Sequence, residues 1–389
     1  VTVSSGNGNA TFAGTVDADA AANNRTLAVN SAGLTTFGAD VGANQRLGSL
    51  TTDAAGTTTA KSVTTSGDIS FNDDVTLNGT YDSSAANGNF LAGKSATLAG
   101  NVTVNSGVGN ATFNGPVDAD AAANNRTLAV NSGGTTTFGA AVGGNQLLAS
   151  LTTDAPGTTS AKDVTTSGNI SFNDDVTLNG TYHSAAGNGN FLAAKTTTLA
   201  GNVTVTTGNG NAAFGGIVNA DSAANNRSLT VNSAGATTFG AAVGGSQRLD
   251  TLTTDGPGTT SARDVTTRGN ISFNVDVTLN GAYDSTAGNG NFLAAKTTTL
   301  AGDTTINSGS GNAMFTGAVD ADAAANNRTL NDNNSGATTF GANVGAARAL
   351  GSLTTDATGT TALNGGVVTT SGAQSFGDDV TLGAAATAL

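Results

Sequence analysis

Apolar residues in this chain fall in short runs where every second position is hydrophobic. Examples are Thr26-Leu27-Ala28-Val29, Leu47 to Leu50, Val75-Thr76-Leu77 and Asn101-Val102-Thr103-Val104. Each run closes on a small polar pair such as Asn-Gly, Ser-Gly, Ala-Gly or Asp-Ala. A period of two is the signature of a strand that buries one face, and the pairs that follow are turn formers. The pattern predicts an all-β chain whose strands are about 3–6 residues long and recur roughly every 10–12 residues.

A longer period overlies the alternation. Phe12, Phe113, Phe214 and Phe315 are 101 residues apart, as are Phe37, Phe138, Phe239 and Phe340. Phe71, Phe172 and Phe273 keep the interval, and Phe376 follows at 103 because two residues are inserted near Thr361. Phe90, Phe191 and Phe292 complete the set, so all 15 Phe occupy four repeat positions. The chain therefore reads as units 1–101, 102–202 and 203–303 and a partial unit 304–389. Within a unit, Phe followed four residues later by Val recurs at Phe12 to Val16, Phe37 to Val41 and Phe71 to Val75.

Two folds accommodate such strands: a β-solenoid, or a string of immunoglobulin-like sandwiches of ~100 residues each. The recurrence of Phe-x-x-x-Val inside a unit favours stacked coils, which repeat a short motif where a sandwich has no reason to. So does the absence of Trp, since sheets ~10 Å apart usually need bulky aromatics between them. Coils of ~20–25 residues would give four or five per unit, and one continuous solenoid of 16–19 coils roughly 75–90 Å long. The Phe positions would then be its core ladder.

Composition narrows the function classes. The chain is rich in Gly (55 residues), all 27 of its acidic residues are Asp, and Pro is rare (3). This argues against a helical bundle. The net charge of -13, with sparse Lys and Arg, excludes nucleic-acid binding by bulk electrostatics. Without Cys there are no disulfides, thiol catalysis or zinc fingers. No run approaches the ~18 apolar residues of a membrane helix, and the opening Val1-Thr2-Val3 carries no export signal. The sequence reads as a piece of something longer.

The phrases Thr136-Thr137-Phe138-Gly139-Ala140-Ala141-Val142-Gly143-Gly144, Ser49-Leu50-Thr51-Thr52-Asp53-Ala54-Ala55-Gly56-Thr57-Thr58 and Asp174-Asp175-Val176-Thr177-Leu178 carry a resemblance. In repeat style they resemble the filamentous-haemagglutinin-like and autotransporter-adhesin-like exoproteins of bacteria. That resemblance implies a right-handed parallel β-helix, secreted or displayed at the cell surface as adhesin, biofilm matrix or fibre stalk. The expected role is structural: a stiff subunit that self-associates end to end into fibres. The alternatives are a carbohydrate- or receptor-binding passenger domain and a Ca²⁺-dependent matrix protein.

Candidate chemistry is thin. The one His, His183, stands where neighbouring units have Asp82 and Asp284, which suits a solvated loop better than a catalytic centre. No local departure from the repeat is seen that would seat catalysis, so no enzyme and no cofactor are expected. Asp17 and Asp19, Asp118 and Asp120, and Asp320 and Asp322 are weak Ca²⁺ candidates, softened in the third unit to Asn219 and Asp221. Their spacing fits neither the EF-hand loop nor the Gly-rich nonapeptide Ca²⁺ roll, and turn hydrogen bonding explains such residues adequately. Arg25, Arg126, Arg227 and Arg328, each after Asn-Asn, either bond a nearby Asp or carbonyl or reach sideways to another molecule. Adjacent Thr pairs point to opposite faces of a strand, which argues against an ice-binding threonine ladder.

Overall fold

Period-two strands separated by corners of Gly, Asn and Ser build coils. The computed structural model describes residues 1–383 apart from 21, 23, 24, 122, 124, 223 and 326. Among these residues there is no α-helix, and therefore none long and apolar enough to cross a membrane. The chain divides into two compact units, Val1–Lys195 and Thr196–Leu389. The boundary falls inside the second sequence repeat. Each unit is a stack of parallel β-coils, that is, a β-solenoid.

In Val1–Lys195 three parallel ladders run from coil to coil. The first carries Ala10, Thr35, Thr58, Val75, Ala96 and Val117. The second carries Val16, Val41, Val63, Tyr81, Val104 and Val130. The third carries Val29, Thr52, Phe71, Ala92, Phe113 and Phe138. The chain visits them in that order, so a coil has three sides.

Between the strand of Ala10, on the first side, and that of its repeat equivalent Ala111, on the third, the chain makes fourteen side-to-side steps. One repeat of 101 residues is thus four and two-thirds coils of about 22 residues each. The expectation of four or five coils per repeat resolves to a fraction between the two. In Thr196–Leu389 the same offset holds. Ala212 shares a ladder with Thr237, Thr260, Val277 and Thr298, whereas Ala313 lies on that of Phe292, Ile271, Leu252 and Leu229. Residues that are equivalent in sequence therefore face different directions in successive repeats.

Alternation decides what goes inside. In Leu34–Phe37 the side chains of Thr35 and Phe37 are buried, and Leu34 points out. A one-residue slip would turn every such pair inside out, so the pattern pins the register. Thirteen Phe are buried; Phe12 and Phe376 are half-buried. Phe113 stacks on Phe138 with centroids 5.3 Å apart, and Phe12 stacks on Phe37 at 5.1 Å. Tyr81 meets Phe71 and Phe90 edge-on, and its hydroxyl donates to the Ala60 carbonyl at 2.7 Å. Each fully buried aromatic contributes on the order of 1.5–3 kcal/mol.

The corners are held by side-chain carboxylates and amides. Asp68 accepts from the Asn89 backbone N–H at 2.8 Å, Asn89 from that of Asn110 at 2.9 Å, and Asn110 from that of Thr135 at 2.8 Å. Each side-chain oxygen thus satisfies a backbone donor in the next coil. Gly79, at φ +117°, turns the chain from the first side to the second inside Asp74–Asp82. A side chain there would be strained and would collide with the Ser62 hydroxyl.

Candidate functional site

The carboxylates suggested by sequence are divided between two tasks. Asp17 Oδ1 accepts the backbone N–H groups of Asn44 at 2.9 Å and Gln45 at 3.1 Å, and Oδ2 accepts Asn44 Nδ2. Asp118 does the same for Asn145 and Gln146, and Asp320 for Ala347 and Arg348. In the third repeat Asn219 Oδ1 takes Ser246 and Gln247, both at 3.1 Å. The position needs an acceptor for the loop one coil on. It does not need a charge, which accounts for the exchange of Asp with Asn. These hydrogen bonds hold the Asp17 carboxyl below the usual carboxylate range, with Asn44 the main cause.

The second carboxylate of each pair belongs to arginine. Arg25 grips Asp19 through Nε and Nη2, both at 2.9 Å, and Arg126 grips Asp120 at 2.8 and 2.7 Å. Arg227 with Asp221 and Arg328 with Asp322 repeat the two-pronged geometry. The Arg227 guanidinium holds Asp221 well below the ordinary range. Every candidate lateral Arg is thus paired within its own chain. Asn23, Asn24, Asn124 and Asn326 of the preceding Asn-Asn pairs lie outside the described residues.

The fractional coil matters here as well. Arg25 sits at the corner between the second and third sides, Arg126 at that between the first and second. No single face of Val1–Lys195 carries both. Among the described residues no group of three or more acidic or His side chains converges as a metal site would require. His183 ends the strand Asp175–His183, paired with Thr165.

Threonine behaves differently from the expectation. Alternate residues do turn inward, yet those that remain outside align: Thr11, Thr36, Thr59, Thr76 and Thr97 are register partners over five coils. Strand alternation does not prevent a ladder, because stacking puts like residues over one another. The rank is single; the outward positions beside it include Leu34, Thr57 and Asp74.

The most unusual chemistry is interior. Asp73 is buried, with Oδ1 accepting the Thr52 hydroxyl at 2.8 Å and Oδ2 that of Thr58 at 2.7 Å. Asp174 takes Thr153 and Thr159 in the same way. Burial pushes both carboxyls up against the pull of these hydroxyls. In the third repeat the position is Val275, and the Oγ1 atoms of Thr254 and Thr260 are left buried without partners.

The fourth repeat carries a further buried carboxylate to which no periodic feature of the sequence points. Asp332 is fully buried on Thr329–Asn334, where the equivalent strands carry Val29, Val130 and Val231. Its Oδ2 accepts the Thr338 hydroxyl at 2.8 Å and its Oδ1 accepts Asn334 Nδ2 at 2.7 Å. Asn334 is itself a change, from Ser31, Ser132 and Ser233. Burial, helped by the carboxylates of Asp356 and Asp378, pushes the Asp332 carboxyl up to about 6. The signal is in the sequence: Asp332 and Asn334 replace the Val and Ser of the other three repeats.

Compared with protein-family models, curated proteins and solved structures, the chain matches none of them.

Proposed function

We propose that this chain is a structural extracellular or cell-surface protein, a β-solenoid element acting as a fibre subunit or adhesin stalk. The observation that carries the reading is where its reactive side chains go. The Phe and Tyr rings face the core, the Asp and Asn of the corners bridge one coil to the next, and each Asn-Asn-Arg arginine is held by its own Asp. Functional groups spent on joining coils leave a surface of small polar side chains, suited to reach and stiffness. A sugar-binding surface would want an exposed aromatic platform. Among the described residues no Phe or Tyr is exposed.

The negative charge keeps such elements soluble and apart except at matched surfaces. Electron microscopy of the native material, with and without a chelator, tests the proposal. Uniform filaments or straight stalks that survive chelation are expected. Compact particles would overturn the structural reading, and collapse on chelation would replace it with a Ca²⁺-dependent matrix.

A further inference from the structure

Asp332, Asn334 and Thr338 bring an acid–base group, an amide and an alcohol together inside the core, and all three are buried. Thr338 donates its hydroxyl to Asp332 Oδ2 at 2.8 Å, and Asn334 Nδ2 donates to Asp332 Oδ1 at 2.7 Å. Nδ2 also reaches Thr338 Oγ1 at 3.0 Å. The two oxygens of one carboxylate therefore touch the hydroxyl of the alcohol and the nitrogen of the amide. Burial pushes that carboxyl up to about 6, which makes it a better base than an exposed Asp. The amide oxygen, Asn334 Oδ1, has no hydrogen-bond partner.

The alcohol alone is common to every repeat. Thr35, Thr136 and Thr237 stand where the fourth repeat has Thr338, but their companions are Val29 and Ser31, Val130 and Ser132, and Val231 and Ser233. Two changes in one strand thus supply both the base and the electrophile that the other repeats lack.

We propose that Thr338 and Asn334 join in an ester across this corner, with Asp332 as acid–base catalyst. Thr338 Oγ1 attacks Asn334 Cγ while Asp332 Oδ2 takes its proton. The amide turns about its Cβ–Cγ bond to present Cγ, and the hydrogen bonds it gives up belong to the nitrogen that departs. Asp332 then passes the proton to Nδ2, the C–N bond breaks and ammonia leaves. One C–O bond replaces one C–N bond, with no oxidant and no second substrate. Asp332, having lost both donors, takes a proton from solvent and offers it to the ester carbonyl, the oxygen that had no partner before. Burial keeps water from the ester. The product ties Thr329–Asn334 covalently to Ala337–Phe340. This self-modification stands whether or not the chain serves in a fibre.

Mass spectrometry of the full chain tests it. The folded chain should weigh less than its sequence by one ammonia, about 17 Da, with the loss in the tryptic peptide 329–348. Backbone cleavage between 334 and 338 should release no separate fragments, because the ester bridges them. Thr338→Ser should keep the bridge and Thr338→Val abolish it, and peptides holding Thr35, Thr136 and Thr237 should show none. The full sequence mass after prolonged incubation would overturn the proposal. So would a loss that survives Thr338→Val, or fragments that separate between 334 and 338, since both mark a succinimide at Asn334 instead. Mass and fragmentation of the native chain need no variant, so they decide the matter even where Thr338→Val fails to fold.

Discussion

Asp73 and Asp174 in Val1–Lys195 and Val275 in Thr196–Leu389 occupy one repeat position and solve it in opposite ways. Where Asp is present, a buried carboxylate gathers two threonine hydroxyls from the preceding coil. Where Val is present, the hydroxyls of Thr254 and Thr260 stay buried and bare. The coils stack in parallel either way. Backbone pairing and the apolar ladders therefore carry the architecture, and the polar clamp adjusts local stability. A carboxylate in such a place also brings a dependence on acidity that Val does not.

The largest expected effect comes from converting the first region into the second. Asp73→Val leaves the Thr52 and Thr58 hydroxyls unpaired, at ~1–3 kcal/mol each. Removing a desolvated charge and burying two methyl groups offset part of that. The net expectation is a loss of about 2 kcal/mol, read as a lower urea midpoint with unchanged slope. An unchanged midpoint would mean that the clamp is ornamental and that Val275 is the better solution.

Acid should act next. Asp73, Asp174 and Asp332 all have raised carboxyls, so the folded chain binds more protons than the unfolded one below the folded values. Stability must then rise as pH falls from neutral and level off near the ordinary carboxylate range. Asp332 alone should add about 1.4 kcal/mol between pH 7 and pH 5. Asp17, Asp74, Asp221 and Asp276 pull the other way, but only at lower pH, because their carboxyls are held below the ordinary range. Thermal melts at pH 7, 6 and 5 measure the sum, and a midpoint that falls throughout would contradict the assignment.

How far this was legible follows from what a repeat makes visible. Alternation in Val75-Thr76-Leu77 and the spacing of the Phe columns point to strands, coils and an aromatic interior because they are local or periodic properties. The fraction of a coil per repeat was hidden. Spacings between stacked residues vary, from 26 between Val104 and Val130 to 17 between Ala60 and Leu77, and only pairing fixes them. Asp17 and Asp19 look like one motif in sequence yet serve different partners, 27 and 6 residues away. Asp332 was readable only as a single change in the column of Val29, Val130 and Val231, and its burial depends on the packing of that strand, which no period reveals.

The smallest effect is the sharpest test of the comparison. Thr254→Val with Thr260→Val replaces two orphaned hydroxyls by methyl groups of nearly the same volume, beside Val275. No hydrogen bond is lost, and two buried polar atoms disappear, so stability should hold or rise by up to about 1 kcal/mol. The matching pair Thr52→Val with Thr58→Val strips Asp73 of both donors and should destabilise instead. Opposite signs for the same chemical change at equivalent positions would show that the hydroxyls matter only through the carboxylate between them. Equal signs would mean that the threonines are held for their shape, and that the clamp contributes little wherever it occurs.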